Sequence, residues 1–421
     1  MSTIPPIAFF LLVMSVLSVF LLSGDVLTIF GYNFALEGGS FIFKVHPAFY
    51  LLFFSFFSLF LYRDSTLLIK SIFISKTSFT IFIFSIICFF YQVLALSQPM
   101  APFIVTWLTP LLFVILYDFL DDKQIRQIGT IVLFLVLLNS FVAIIEYALG
   151  EPIVPRTYFS MEDNDLLDIS EWEFSRAVAF YGHPLVATLA ASVVVVGLYA
   201  KSNFESLSKS ELCCLCITLL ALPAFGGRAS IAVSLFLLGI ISLYKLKEVI
   251  TGYGTTKFAF LFFSILIISM PLFLLLLLNL GLFDSLLSRI DDDNGSAETR
   301  LTALYILFDT SFTELIFGDY NKQLFFKQLL YGTKYGIEIF WLAIVLQFGI
   351  IISGILVYLL FYITKKIQYS VGHFTLWSSL AFFLAISSGT GLASKTLSLS
   401  HFVLISLFLL YPKSRYQQSN L

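Results

Sequence analysis

Charge is scarce in this sequence: Asp, Glu, Lys and Arg make up 12% of 421 residues, against 59% hydrophobic. Soluble domains carry about twice that charge, so the composition excludes an ordinary globular protein and implies an integral membrane one. Net charge is only −2 and no basic block follows the chain, which removes nucleic acid as a partner. Four cysteines are too few for a disulfide scaffold. Three of them, Cys213, Cys214 and Cys216, lie in an apolar run without the second cluster that tetrahedral zinc needs, and they read as small apolar filler. Also missing are a glycine-rich phosphate loop, clustered His, Asp and Glu at metal-ligand spacing, a repeat of 20 to 50 residues and any low-complexity tract. No metal, nucleotide or other cofactor is therefore expected, and the lipid bilayer is the main partner.

What the chain does have is long apolar runs. About 20 mostly apolar residues span a hydrocarbon core of roughly 30 Å. Such runs lie near 4–23, 43–62, 77–97, 101–117, 127–149, 179–200, 211–226, 229–245, 258–281, 337–363, 374–391 and 396–412. The first has no preceding positive residue and reads as a span rather than a signal peptide. Residues 1–421 are thus expected to form one all-α membrane domain, a polytopic bundle of about twelve transmembrane helices.

Lys and Arg collect in alternate connections: Arg63, Lys70 and Lys76; Lys123 and Arg126; Lys201 and Lys209; Lys245, Lys247 and Lys257; Lys365 and Lys366; Lys413 and Arg415. By the positive-inside rule these are cytoplasmic. The other short connections are almost free of Lys and Arg, and two long segments, 150–177 and 282–336, fall on the external side. Polar chain cannot lie against lipid, so these segments sit in water or cover a cavity, where chemistry is expected.

Three external arginines stand out. Arg228 follows Pro223, Gly226 and Gly227, which break one span just before the next begins. It is therefore expected at an outward helix start, and the short flanking spans allow the turn to sit below the surface, where an unpaired Arg costs about 2.5–3.5 kcal/mol. Arg300 falls in a stretch where Leu301, Leu304, Tyr305, Phe308, Phe312, Leu315 and Ile316 recur at spacings of three and four, predicting a helix on the bundle with Ser296 as N-cap and Gly318 as stop. A cation in the first turns opposes the helix dipole, so Arg300 either pairs with Glu298 or Asp291 to Asp293, or joins the helix amides in binding an anion. Arg176 precedes AFYGHP, where Pro184 opens a span and His183 stands at its cap. Several fixed cations on one face suit a substrate that carries its own activation, such as a sugar on a lipid diphosphate.

The residues around these arginines resemble the O-antigen ligase and polymerase superfamily, which joins lipid-linked glycans on the periplasmic face of the bacterial inner membrane. The likeness is carried by RAVAFYGHPLVATLA from Arg176, GGRASIAVSLFLLGI at 226–240, ETRLTALYILFDTSFTELIFGDYN from Glu298 and GIEIFWLAIVLQFGIIISGIL from Gly336, spanning about 176–356. It implies that 150–177 and 282–336 are periplasmic, that Arg228 and Arg300 bind the diphosphate of an undecaprenyl-linked oligosaccharide, and that Arg176 and His183 assist there. The ligase branch begins the helix after the large loop with a histidine; this chain has Gly336-Ile337-Glu338-Ile339, and polymerases place an acidic residue there. The resemblance therefore implies an inner-membrane polysaccharide polymerase, a metal-independent glycosyltransferase with Glu338 as base, and allows a chain-length regulator as partner. Transfer to lipid A core by a ligase and transport of lipid-linked oligosaccharide are the alternatives.

Overall fold

The computed structural model describes residues 4–32, 34, 39–62, 76–154, 176–250, 296–333, 336–389 and 391–412. The expected span 258–281, the acidic stretch 155–175 and Asp291 to Asp293 lie outside them. Every regular element among the described residues is a helix. Besides three short 3-10 turns, these are in chain order α1 (Pro6–Leu21), α2 (Gly24–Ile29), α3 (Pro47–Tyr62), α4 (Lys76–Phe90, prolonged by a wider turn over Tyr91–Ala95), α5 (Met100–Tyr117) and α6 (Asp122–Leu149). Then follow α7 (Pro184–Lys201), α8 (Lys209–Phe225), α9 (Arg228–Ile250), α10 (Ser296–Phe308), α11 (Phe312–Phe317), α12 (Leu324–Leu330), α13 (Phe340–Ser370), α14 (Thr375–Ile386) and α15 (Ser398–Leu409). Apart from 258–281, each expected span falls on a helix. Five of them, α5, α6, α7, α9 and α13, are long and apolar enough to cross a membrane, as in a helical membrane protein.

The bundle is built around α7. Its sequence is rich in small residues and valines, and Ala187, Ala190, Ala191, Ser192 and Gly197 let neighbours approach closely. A Cβ on Gly197 would stand 2.6 Å from the Leu410 side chain. Helices α8, α9, α14 and α15 pack around it, and nothing on α7 from Ala187 to Lys201 is exposed. The outer helices keep one face for the bundle and turn Phe10, Phe54, Phe134, Phe141, Phe236 and Phe361 outward. Of the cysteines in α8, Cys214 is buried and Cys213 and Cys216 face out, as apolar filler would.

Cross-chain contacts sort the connections onto two ends. At one end, the ring of His46 meets the Leu22 carbonyl at 2.6 Å, Gly182 packs on Ser23, and Thr396 N–H donates to Thr106 Oγ1 at 3.0 Å. At the other, the Tyr411 hydroxyl donates to Asp122, Lys366 pairs with Asp118, and Lys245 donates to Ser202. The Lys-rich connections that the structure describes thus share this second end.

Three local expectations change. Pro223 lies inside α8, which runs on to Phe225; the helix ends at Gly226, whose left-handed φ of 68° lets its N–H bond back to the Leu222 carbonyl. Helix α9 has 23 residues, so Arg228 does not follow from a short span. The single helix expected from Ser296 to Gly318 is two, because Ser311 closes a capping box with Glu314 and starts α11 afresh.

Candidate functional site

The first end of the bundle carries every site residue expected from the sequence. Arg228 is the first residue of α9 and half-buried. Its position is set by two glycines with different duties. Gly226 supplies the left-handed turn, and Gly227 lies so close to α7 that a Cβ would stand 2.6 Å from Thr188 Oγ1, the atom to which its own N–H donates at 3.2 Å. Arg176 runs across Gly226: its Cγ lies 3.1 Å from where a Cβ on that glycine would be, and Ala177 N–H donates to the Ala224 carbonyl at 2.9 Å. The two arginines therefore flank one helix break. His183 is the N-cap of α7; its Nδ1 accepts from Leu185 N–H at 3.2 Å, and the ring is exposed.

A buried carboxylate holds the base of the 155–175 connection. Glu146, fully enclosed on α6, accepts from Ile153 and Val154 N–H with one oxygen and from Val178 and Ala179 N–H with the other, over 2.9–3.4 Å. Asn139, two turns away on α6, takes Phe180 N–H at 3.0 Å. One helix face thus satisfies five amides, two before that connection and three just after Arg176. Sequence reasoning missed both residues; the signal was a Glu and an Asn inside an otherwise apolar span.

Between α7, α9 and α14 lies a cleft of about 230 Å³. His183, Gly227 and Ala229 form one rim. The facing rim is the connection 387–397, which brings Ser388, Ser394, Lys395 and Thr396, while Val186, Leu189 and Ile386 make the floor. Lys395 was not foreseen as a site residue, although a small, hydroxyl-rich stretch with one lysine, SSGTGLASKTLS, stands out in a chain so apolar. Its Nζ bonds the Phe34 carbonyl and lies 4.1 Å from the centre of the Phe34 ring. Burial, with the charge of Lys44 adding to it, lowers the Lys395 ammonium to about 8.

The second group lies across that connection. Gly391 abuts the start of α13, with Phe340 Cβ 3.1 Å from where its own would be, and Ala393 packs both on the main core and on the small cluster of Ala303, Ile306, Ile337, Ala343 and Leu346. There Arg300 of α10 meets Glu338 at 3.7 Å, both half-exposed. The pairing expected with Glu298 or Asp291 to Asp293 falls on side chains outside the described ones. The candidate base and one candidate diphosphate ligand are therefore brought together, 38 positions apart in the chain. Arg228 and Arg176 gather on the cleft side. No family model, curated protein or solved structure matches the chain.

Proposed function

We propose that the protein is a polysaccharide polymerase of the bacterial inner membrane. The end of the bundle with Arg228 and Arg300 would face the periplasm, and about twelve helices would cross the bilayer. The observation that carries this reading is the collection of Arg176, Arg228, Lys395 and the Arg300–Glu338 pair at one end of an apolar bundle, while the described lysine-rich connections lie at the other. Such a cationic end suits a substrate with a phosphate headgroup and a hydrocarbon tail.

In the proposed reaction the guanidinium groups of Arg228 and Arg300 hold the diphosphate of an undecaprenyl-linked glycan. A hydroxyl of a second lipid-linked repeat unit attacks the anomeric carbon, its proton passes to the Glu338 carboxylate, and the bond to the diphosphate breaks with its electron pair on the leaving oxygen. Undecaprenyl diphosphate departs. Fixed bidentate cations stabilise the charge that develops on the leaving group, and holding acceptor beside donor contributes through orientation. The Arg300–Glu338 contact of 3.7 Å keeps base and clamp together. His183 and Lys395 would line the cleft that receives the substrate headgroup.

The surface polysaccharide of a strain lacking this gene, complemented with variants, tests the reading. Complementation with the wild-type chain is expected to restore long chains. Arg228→Ala and Arg300→Ala should leave single repeat units with the protein still inserted, and Glu338→Gln should slow extension by about 10²-fold or more, the scale of general-base catalysis. Full-length chains stranded on the lipid carrier would instead identify a ligase, and precursor trapped on the cytoplasmic face a transporter.

A further inference from the structure

Of the periodic apolar residues of 296–317, Leu301, Leu304, Tyr305, Phe308 and Phe312 turn away from the bundle, while Leu315 packs on it. Among the described side chains of α10, Ala303 and Ile306 are buried, in one cluster with Ile337, Ala343 and Leu346, while Leu301, Tyr305 and Phe308 point away. The outward face continues over Phe312, Phe326 and Leu330, and with Leu301, Tyr305 and Phe308 these side chains are 59–82% exposed. A soluble surface rarely tolerates a contiguous apolar patch of this kind.

What covers it follows from depth. Helix α13 is interrupted at Gly349 (φ 78°, ψ 163°), and α11 docks into the break: a Cβ on Gly349 would lie 2.3 Å from the Ile316 carbonyl oxygen, and Asp319 N–H donates to the Gln347 carbonyl at 3.2 Å. Sixteen residues separate Gly349 from Lys365, or about 24 Å at 1.5 Å per residue. Helix α4 gives a second measure. The Tyr91 hydroxyl donates to the Phe317 carbonyl at 2.5 Å, and Tyr91 is fifteen residues from Lys76, or about 23 Å. Both distances fall short of a hydrocarbon core of about 30 Å, so α11 docks some 6–7 Å inside the leaflet remote from those lysines. That is the depth at which amphipathic helices lie in an interface.

The polar groups of the segment are satisfied as such a site demands. Lys327 donates to the Asp309 carbonyl at 2.8 Å and approaches Glu314 at 3.5 Å, Asn321 donates to Glu314, and Asp319 caps the start of α12 through Gln323 and Leu324 N–H. Beside it, Phe90 and Leu94 of α4 and Ile350 and Ile351 of α13 extend the exposed apolar band. We propose that α10, α11 and α12 lie in the plane of the membrane, with the face of Leu301, Tyr305, Phe308, Phe312, Phe326 and Leu330 covered by the hydrocarbon chains of one leaflet. Segment 296–333 is then a membrane-embedded element and not a water-exposed loop. This holds whatever reaction the protein catalyses.

The test uses the full chain in liposomes, with its four cysteines replaced by alanine and a spin label at Phe308→Cys, Phe326→Cys or Asn321→Cys. Dissolved oxygen should relax the labels at 308 and 326 several-fold more than a water-soluble nickel chelate does, with the order reversed at 321. Dominance of the nickel chelate at 308 and 326 would place the face in water and overturn the proposal. Exclusion of both reagents would do the same, since a second copy or another protein would then be the cover. If the cysteine-free chain fails to fold, Phe308→Trp in the otherwise native chain gives the same decision. Its fluorescence should be quenched severalfold more by acyl-brominated lipids than by aqueous iodide, and the opposite order overturns the proposal.

Discussion

Lys395 stands where the cleft is most polar, and its protonation gives the site a signature in pH. Because burial and Lys44 hold its ammonium at about 8, the charge is complete below that pH and is lost above it. If the proposed polymerase reaction runs with its anionic headgroup in this cleft, chain extension in a reconstituted assay falls as pH rises through about 8. Lys395→Arg, which stays charged, carries activity further into the alkaline range. The sign for stability is opposite. Between about 8 and the ordinary lysine value near 10.4, only the unfolded chain keeps the proton, so stability rises with pH there. An alkaline limb identical in Lys395→Arg and wild type would remove Lys395 from the site. At this scale Arg228 and His183 were legible in the sequence, because Gly226, Gly227 and Pro184 mark helix ends locally. The Arg300–Glu338 pair was not, since only the return of the chain at α13 brings the two together.

Elements are fixed in place here by a few buried polar groups. Glu146 gathers four amides from both flanks of one connection, so Glu146→Ala leaves them without an acceptor in an apolar setting, at about 1–3 kcal/mol for each group not rescued by water. Thermal unfolding in detergent should show a large loss for Glu146→Ala and a smaller one for Glu146→Gln, which keeps one carbonyl oxygen as acceptor. Equal stability of both variants and wild type would mean that the clasp contributes nothing. The segment α10 to α12 teaches a different lesson. Spacings of three and four identified an apolar stripe correctly, yet they could not say which way it faces, because lipid chains and a protein interior are equally apolar. Nor did the spacing reveal the break at Thr310–Ser311, where a capping box overrides the hydrophobic period.

Across the whole molecule, the end opposite the candidate site is held by one buried cation. Lys201, at the last turn of α7, meets Glu211 at 2.9 Å, Glu205 at 3.1 Å and the Tyr411 carbonyl at 2.9 Å, joining α7, α8 and the segment after α15. Lys201→Met strands two carboxylates and is expected to cost about 3–5 kcal/mol, lowering the unfolding temperature in detergent, with Lys201→Met/Glu211→Gln recovering part of the loss. No loss in the single variant would show that water already reaches the cluster. Sequence alone determined the helical membrane class, eleven of the described helices with ends that agree to within five residues except at α13, which runs seven further, and the helix start that carries Arg228. These follow from apolar run length and from Gly and Pro, which act on their own neighbourhood. Tertiary structure alone decided that Glu338 faces Arg300, that Lys395 completes a cleft with His183, that Glu146 clasps a connection, and that α13 opens at Gly349 to admit α11. Each joins residues distant in the chain, and such pairings depend on how helices stack, which composition and periodicity leave open.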